Sequence, residues 1–189
     1  MTEYPMLASL WMPILLSGVI VFLASSVLHM FTSWHKDDYP RLPNEDGVRN
    51  ALRPFAIPPG DYVIPRAADQ KEMRDPAFKE KMIQGPNVMM TVMPSGLPAM
   101  GKPLAQWFCF SLFVSLFAAY VTSHALAVGA SYLEVFRFVG ATAFASYALA
   151  LWPLRIWYRR ALGTTIRATI DGLLFACLSA GVFGWLWPR

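Results

Sequence analysis

Four long and mostly apolar stretches of this 189-residue chain contain no Lys, Arg, Asp or Glu, and they restrict the possible folds more than any other feature. They cover residues 4–35, 103–133, 138–154 and 172–188. A helix needs about 20 mostly apolar residues to cross the hydrocarbon layer of a membrane, because it rises about 1.5 Å per residue and satisfies its own backbone hydrogen bonds. The charge-free stretches therefore predict membrane-spanning helices.

We predict four spans, at residues 7–31, 104–128, 133–154 and 168–187. The uncharged parts of the last two are short, so buried helices of a soluble protein are the alternative there. Composition argues against it, because only 15% of the residues are charged, against roughly 25% in an average soluble domain. Four apolar segments would leave too little polar surface to cover them.

The predicted fold is thus a membrane all-α protein with a small cytoplasmic α/β insertion between the first two spans. We divide the chain into 1–32, which holds the first span, 33–103, the insertion, and 104–189, a bundle of three helices. Within the insertion, Asn44 and the Asp75–Pro76 pair predict two helix starts. Residues 62–65 and 87–94 predict two strands.

Cationic residues indicate the orientation in the membrane. Ten Lys or Arg lie between spans one and two and four lie between spans three and four, which leaves two of the sixteen for the other side. The positive-inside tendency then predicts cytoplasmic basic loops and periplasmic termini. The N-terminal flank has Glu3 as its only charged residue, so we expect the first span to remain as an anchor rather than be removed as a signal.

Small residues recur at every fourth position of the second and fourth spans. In lipid, such stripes allow close approach of helix backbones and therefore predict helix packing, either inside one bundle or between subunits. The candidate packing residues are Ser111, Ser115, Ala119, Ser123, Gly172, Ala176, Ala180 and Gly184.

Ionisable residues near the span ends provide candidate ion pairs and one candidate polar site. Arg167 and Asp171 are four residues apart, and Glu134 and Arg137 are three apart, so each pair could form along one helix face. The predictions for catalytic residues, cofactor and metal are all none. His29 and Asp171 are the candidates if any polar site exists.

Two further patterns concern possible nucleotide and metal or haem binding. Residues 96–103, GLPAMGKP, match the start of a nucleotide-binding loop, but Pro103 replaces the hydroxyl residue that would bind magnesium. The predicted topology separates His29 from His124 by about one membrane thickness, which excludes a haem held by both. His29 and His35 could share a metal only if the first helix ended between them.

Three segments carry a family resemblance: LPNEDGVRNALR at 42–53, PSGLPAMGK at 94–102 and DGLLFACLSAGVFGWLWP at 171–188. Together they resemble a group of uncharacterised four-span bacterial inner-membrane proteins. The resemblance implies a location in the bacterial inner membrane. It implies no activity, cofactor or catalytic residue, because none is known for the group.

The expected function is that of a non-catalytic integral membrane protein, either a homo-oligomeric scaffold or an accessory subunit of a larger membrane complex. A small oligomeric transporter or channel is the alternative, and a membrane enzyme acting on lipid-like substrates is a weaker one. Expected partners are the bilayer, anionic lipid headgroups at the cytoplasmic face, and copies of this chain or other membrane subunits. The near balance of charges in the insertion argues against nucleic acid.

Overall fold

A computed structural model describes residues 3–189 of the chain. Within them the chain forms two compact units. One is Arg41–Pro98, and the other combines residues 3–40 with residues 99–189. The predicted insertion begins at residue 33, whereas residues 33–40 belong to the helical unit in the structure.

The fold is mostly helical with one small sheet. In chain order the helices are α1 (Trp11–Phe31), α2 (Glu45–Leu52), α3 (Gln70–Arg74), α4 (Pro76–Gln84), α5 (Gly101–Ala125), α6 (Tyr132–Tyr147), α7 (Trp152–Tyr158) and α8 (Leu162–Leu186). The strands are β1 (Gly60–Ile64) and β2 (Val88–Val92).

Four segments are long and apolar enough to cross a membrane, as the charge pattern predicts. They are Leu7–Phe31, Gly101–Ala125, Tyr132–Tyr158 and Leu162–Leu186. The last begins six residues before its predicted start at 168. That extension adds Arg167 to the helix, which already included Asp171, and the Arg167 side chain pairs with Asp38. This prediction of four apolar helices is confirmed.

The third of these segments is interrupted. It is continuous in sequence but consists of α6, a 3-10 turn at Leu149–Leu151, and the short helix α7. Pro153 lies in the first turn of α7. Proline cannot donate a backbone hydrogen bond, and its ring clashes with the preceding helical turn, so an α-helix running through this position would be disrupted.

The helices of the larger unit run alternately up and down. Two backbone hydrogen bonds define one end of this bundle, because they join the loop after α5 to both ends of the described chain. The backbone N–H of Val128 donates to the carbonyl of Glu3 at 2.9 Å, and that of Gly129 donates to the carbonyl of Pro188 at 2.9 Å. The two ends of the described chain therefore lie on the same side, as an even number of crossings requires.

Small and branched side chains fill the bundle interior. Close to the end with the chain termini, Leu10, Val135, Val139 and Phe183 pack together and are fully buried. Towards the opposite end, a second apolar cluster includes Val21, Val114, Ala143, Tyr147 and Phe175. The most extensive helix contact is that of α6 with α8, while α1 packs against both α5 and α8.

The smaller unit has a thin core. Asn44 caps α2 and Asp75 caps α4, as predicted, and the helix α3 was not predicted. The two strands pair antiparallel, with Gly60 opposite Val92 and Ile64 opposite Val88. Phe78 is the one buried residue of this fully described unit.

Candidate functional site

The segment that follows α1 turns back along the end of the bundle. Thr32 leaves the helix with an extended backbone, and its hydroxyl donates to the carbonyl of Leu28 at 2.6 Å. The turn that follows is closed by backbone hydrogen bonds from Lys36 to Ser33 and from Asp38 to His35. The side chains of Trp34, His35 and Asp38 reach α8 from this turn.

Asp171 in α8 is the buried carboxylate at the centre of these contacts, with 7% of its side chain exposed. The indole Nε1 of Trp34 donates to Asp171 Oδ1 at 2.9 Å. Nε2 of His35 lies 3.0 Å from Asp171 Oδ2. That nitrogen is fully buried, yet the approach lacks the geometry of a hydrogen bond. The contact is therefore close but not satisfied.

Asp38 and Arg167 form the second half of the arrangement. Nδ1 of His35 lies 2.8 Å from Asp38 Oδ2, and Arg167 Nε donates to Asp38 Oδ1 at 2.7 Å, with Nη2 of Arg167 also in contact. Burial raises the pKa of Asp38, but the hydrogen bonds from His35 and Arg167 and the charge of Arg167 outweigh it. The pKa of this carboxyl is consequently below its ordinary value.

His29 in the last turn of α1 completes the group. Its ring stacks on that of His35, with the centroids 4.2 Å apart and the planes 16° from parallel. Its Nδ1 lies 2.9 Å from the carbonyl oxygen of Ser25. One potential metal-ligand atom from each of His29, His35 and Asp171 lies within 4.8 Å of the other two. The His–Asp cluster is defined as His29, Trp34, His35, Asp38, Arg167 and Asp171.

The charges of the His–Asp cluster do not balance when both histidines are neutral. Two carboxylates then face one guanidinium, which leaves one net negative charge in a largely buried position. An uncompensated buried charge is costly, so the arrangement favours an additional cation or proton. The position of greatest need is between His35 Nε2 and Asp171 Oδ2, which lie 3.0 Å apart and are both acceptors when His35 is protonated on Nδ1 alone.

An open cleft of about 480 Å³ adjoins this cluster. It lies between the segment after α1 and the first turns of α8, and both Trp34 and Arg167 contribute to its wall. Its lining residues are Thr32, Ser33, Trp34, Gly163, Ile166, Arg167 and Ile170.

Neither candidate ion pair from the sequence forms within residues 3–189. Arg167 contacts Asp38 instead of Asp171, because the segment after α1 brings a carboxylate closer than the helix itself does. Glu134 begins α6 as part of a capping box with Ser131, where its carboxylate accepts the Ser131 N–H at 2.9 Å. It is therefore not paired with Arg137.

The predicted packing residues lie in the bundle interior. Ser111, Ser115, Ala119 and Ser123 of α5 are buried, as are Gly172, Ala176 and Ala180 of α8. Gly184 is half-buried, and a Cβ added there would lie 2.7 Å from the Tyr132 ring. At Gly172 an added Cβ would lie 2.8 Å from Ala148 Cβ.

Sequence reasoning identified part of the His–Asp cluster and missed the rest. His29 and Asp171 were the candidate polar site, and the structure brings them together. Asp38 was not among the candidate residues, and its side chain is only 9% exposed. The available signal was the Trp-His-x-x-Asp sequence directly after an apolar span, together with a first helix that ends at Phe31, between the two histidines.

Four apolar helices, with a buried charged cluster at one end of their bundle, are consistent with a multi-pass integral membrane protein. Comparisons of the chain with protein-family models, with curated proteins and with solved structures gave no match.

Proposed function

We propose that the chain is an integral protein of the bacterial inner membrane that acts as a homo-oligomeric scaffold or as an accessory subunit of a larger membrane complex. In this proposal both termini are periplasmic and the unit Arg41–Pro98 is cytoplasmic. The bilayer and its anionic headgroups are partners of the basic connections.

The observation that carries this proposal is the set of contacts among charged residues at one end of the helical unit. Arg167, Asp171, His35 and Asp38 contact one another at one end of the bundle and hold the segment after α1 against α8. A transporter commonly places such groups near the middle of its spans, beside broken helices. A cluster at the bundle end is better suited to fixing the structure where the chain leaves the helices.

A transport path between subunits could be lined by hydroxyl residues of α5 or by Ser25, Ser26 and His29 of α1, and the α5 set receives little support. Ser111, Ser115, Thr122 and Ser123 are buried within a single chain. Ser111 and Ser115 donate to carbonyls four residues earlier in their own helix, at 3.0 Å each. Side chains in this position cannot line a pore formed between neighbouring copies.

A membrane enzyme remains the second candidate because of the cleft beside the His–Asp cluster. The cleft is open, and its wall includes Arg167, whose guanidinium donates to the carboxylate of Asp38. Changed membrane lipids on replacing Asp171 by Asn, with the protein still inserted and abundant, would support this candidate over the first.

The test of the proposed function is the composition of the particle extracted in a mild detergent from the native membrane. Mass measurement and protein identification are expected to find several copies of this chain, or this chain with other subunits in a fixed ratio. A single copy that carries only lipid and detergent, also after crosslinking in the membrane, would contradict the proposal.

The orientation has a separate test. A reporter that is active only outside the cytoplasm, fused after Arg189, should be active, and the same reporter inserted after Gln84 should be silent. The reverse pattern would overturn the proposed orientation without affecting the subunit proposal.

A further inference from the structure

We propose that His29, His35 and Asp171 bind one first-row divalent transition-metal ion, such as Zn²⁺, at the end of the helix bundle. Among residues 3–189 these three form the one group of at least three His, Cys, Asp or Glu side chains whose donor atoms lie this close together. The proposal goes beyond the subunit function, because a subunit without any metal would equally satisfy that function.

The first argument is the unsatisfied nitrogen of His35. Nδ1 of this ring faces Asp38 Oδ2 at 2.8 Å, so a neutral His35 that carries its proton on Nδ1 leaves the lone pair of Nε2 free beside Asp171. With metal bonds of about 2.0–2.2 Å, two adjacent ligand atoms are separated by about 3.0–3.5 Å. The 3.0 Å between Nε2 and Asp171 Oδ2 fits two neighbouring ligands of one ion.

The second argument is that all three candidate ligands are oriented through their other polar atom. Metal-binding histidines typically donate the second ring N–H to a carboxylate or a backbone carbonyl. His35 has Asp38 in that position, and His29 has the carbonyl of Ser25 at 2.9 Å. Asp171 accepts the hydrogen bond of the Trp34 indole at Oδ1, which leaves Oδ2 facing His35.

The third argument is the chemistry of the ligand atoms. A cation between His35 Nε2 and Asp171 Oδ2 would bind two atoms that otherwise face each other as acceptors. Imidazole and carboxylate together are ligands typical of zinc, iron and other first-row metals, which supports a transition metal over Ca²⁺ or Mg²⁺.

Coordination requires one movement. The rings of His29 and His35 are stacked, so their lone pairs do not converge, and the largest donor separation is up to 4.8 Å. His29 is exposed at the end of α1, and a turn of its ring out of the stack brings Nε2 towards the other two ligands. The site therefore consists of two ligands that are already close together, His35 and Asp171, and a third, His29, that must move to complete it.

The test is metal binding by the full chain, purified in detergent with an affinity tag that contains no histidine and stripped with a chelator. Titration calorimetry with Zn²⁺ is expected to give one ion per chain, and bound Zn²⁺ should raise the melting temperature. Replacing the exposed ligand, His29→Gln, should weaken binding by at least about tenfold, because changing even a hydrogen-bond partner of a metal ligand typically costs that much.

His124→Gln is the matched control. His124 also lies in the last turn of a long helix, and its Nδ1 lies 2.8 Å from the carbonyl oxygen of Tyr120, as His29 Nδ1 does with Ser25. It has no place in the three-residue group, so this variant should bind Zn²⁺ like the unchanged chain. Absence of stoichiometric binding by the unchanged chain, or equal affinity in the His29→Gln variant, would overturn the proposal.

Discussion

The indole of Trp34 donates a hydrogen bond to the carboxylate of Asp171, although the two residues are 137 positions apart in the sequence. We predict that Trp34→Phe destabilises the protein, because Asp171 Oδ1 then loses a donor in a buried position. Hydrogen bonds to charged groups contribute about 1.5–3 kcal/mol, and the partly exposed indole places the expected loss at the lower end.

The measurement for this prediction is the melting temperature of the purified chain in detergent. Trp185→Phe is the control, because Trp185 is exposed on α8 and is expected to leave the melting temperature nearly unchanged. Equal melting temperatures for the Trp34 variant and the unchanged chain would show that this hydrogen bond adds nothing to stability.

The ion pair of Arg167 with Asp38 leads to a second prediction. Arg167→Gln leaves the largely buried Asp38 carboxylate without its cation, and breaking a buried pair costs about 3–5 kcal/mol. We expect a loss below this range, because 24% of the Arg167 side chain is exposed. Thermal unfolding should also show that Asp38→Asn combined with Arg167→Gln costs less than the two single changes added together.

Arg41→Gln provides the comparison for that prediction. Arg41 pairs with Glu45 at 3.1 Å, but the pair is exposed, and such surface pairs contribute about 0–1 kcal/mol. A similar loss of stability in both arginine variants would contradict the distinction between the two pairs.

The contact of Gly172 with Ala148 leads to a third prediction. Gly172→Ala places a methyl group 2.8 Å from Ala148 Cβ, so α8 and the end of α6 must move apart. Overpacking of this kind costs about 1–3 kcal/mol. Gly181→Ala lies on the same helix with its nearest atom at 3.7 Å, and it should be neutral or slightly stabilising in the same melting experiment.

A fourth prediction concerns the unit Arg41–Pro98 expressed alone. With Phe78 as its one buried residue, it gains too little apolar burial to offset the entropy of ordering its chain. Circular dichroism of the isolated fragment should show a gradual loss of signal on heating. A cooperative transition would contradict this expectation.

The spans and most elements of the smaller unit could be predicted because they depend on local sequence. A long charge-free stretch predicts a membrane span from its own composition, and Asn44 or Asp75 caps the helix that directly follows it. The helix α3 has only five residues, too few to show helical periodicity, and it was missed.

The His–Asp cluster could be predicted only in part, because its contacts join distant parts of the chain. Arg167 and Asp171 are one helical turn apart, which suggested a pair between them. The turn after α1 instead supplies His35 to one and Asp38 to the other. No periodicity in the sequence predicts how a short polar segment folds over the end of a helix.

The break in the third span imposes a requirement on a different helix. Pro153 prevents a regular helix through residues 148–151, and Ala148, where the irregular backbone begins, is fully buried in the protein. Ala148 can lie against the backbone of α8 only because residue 172 has no side chain. The break beside Pro153 in the third span thus packs against the fourth span at Gly172, where the absence of a side chain leaves room for Ala148.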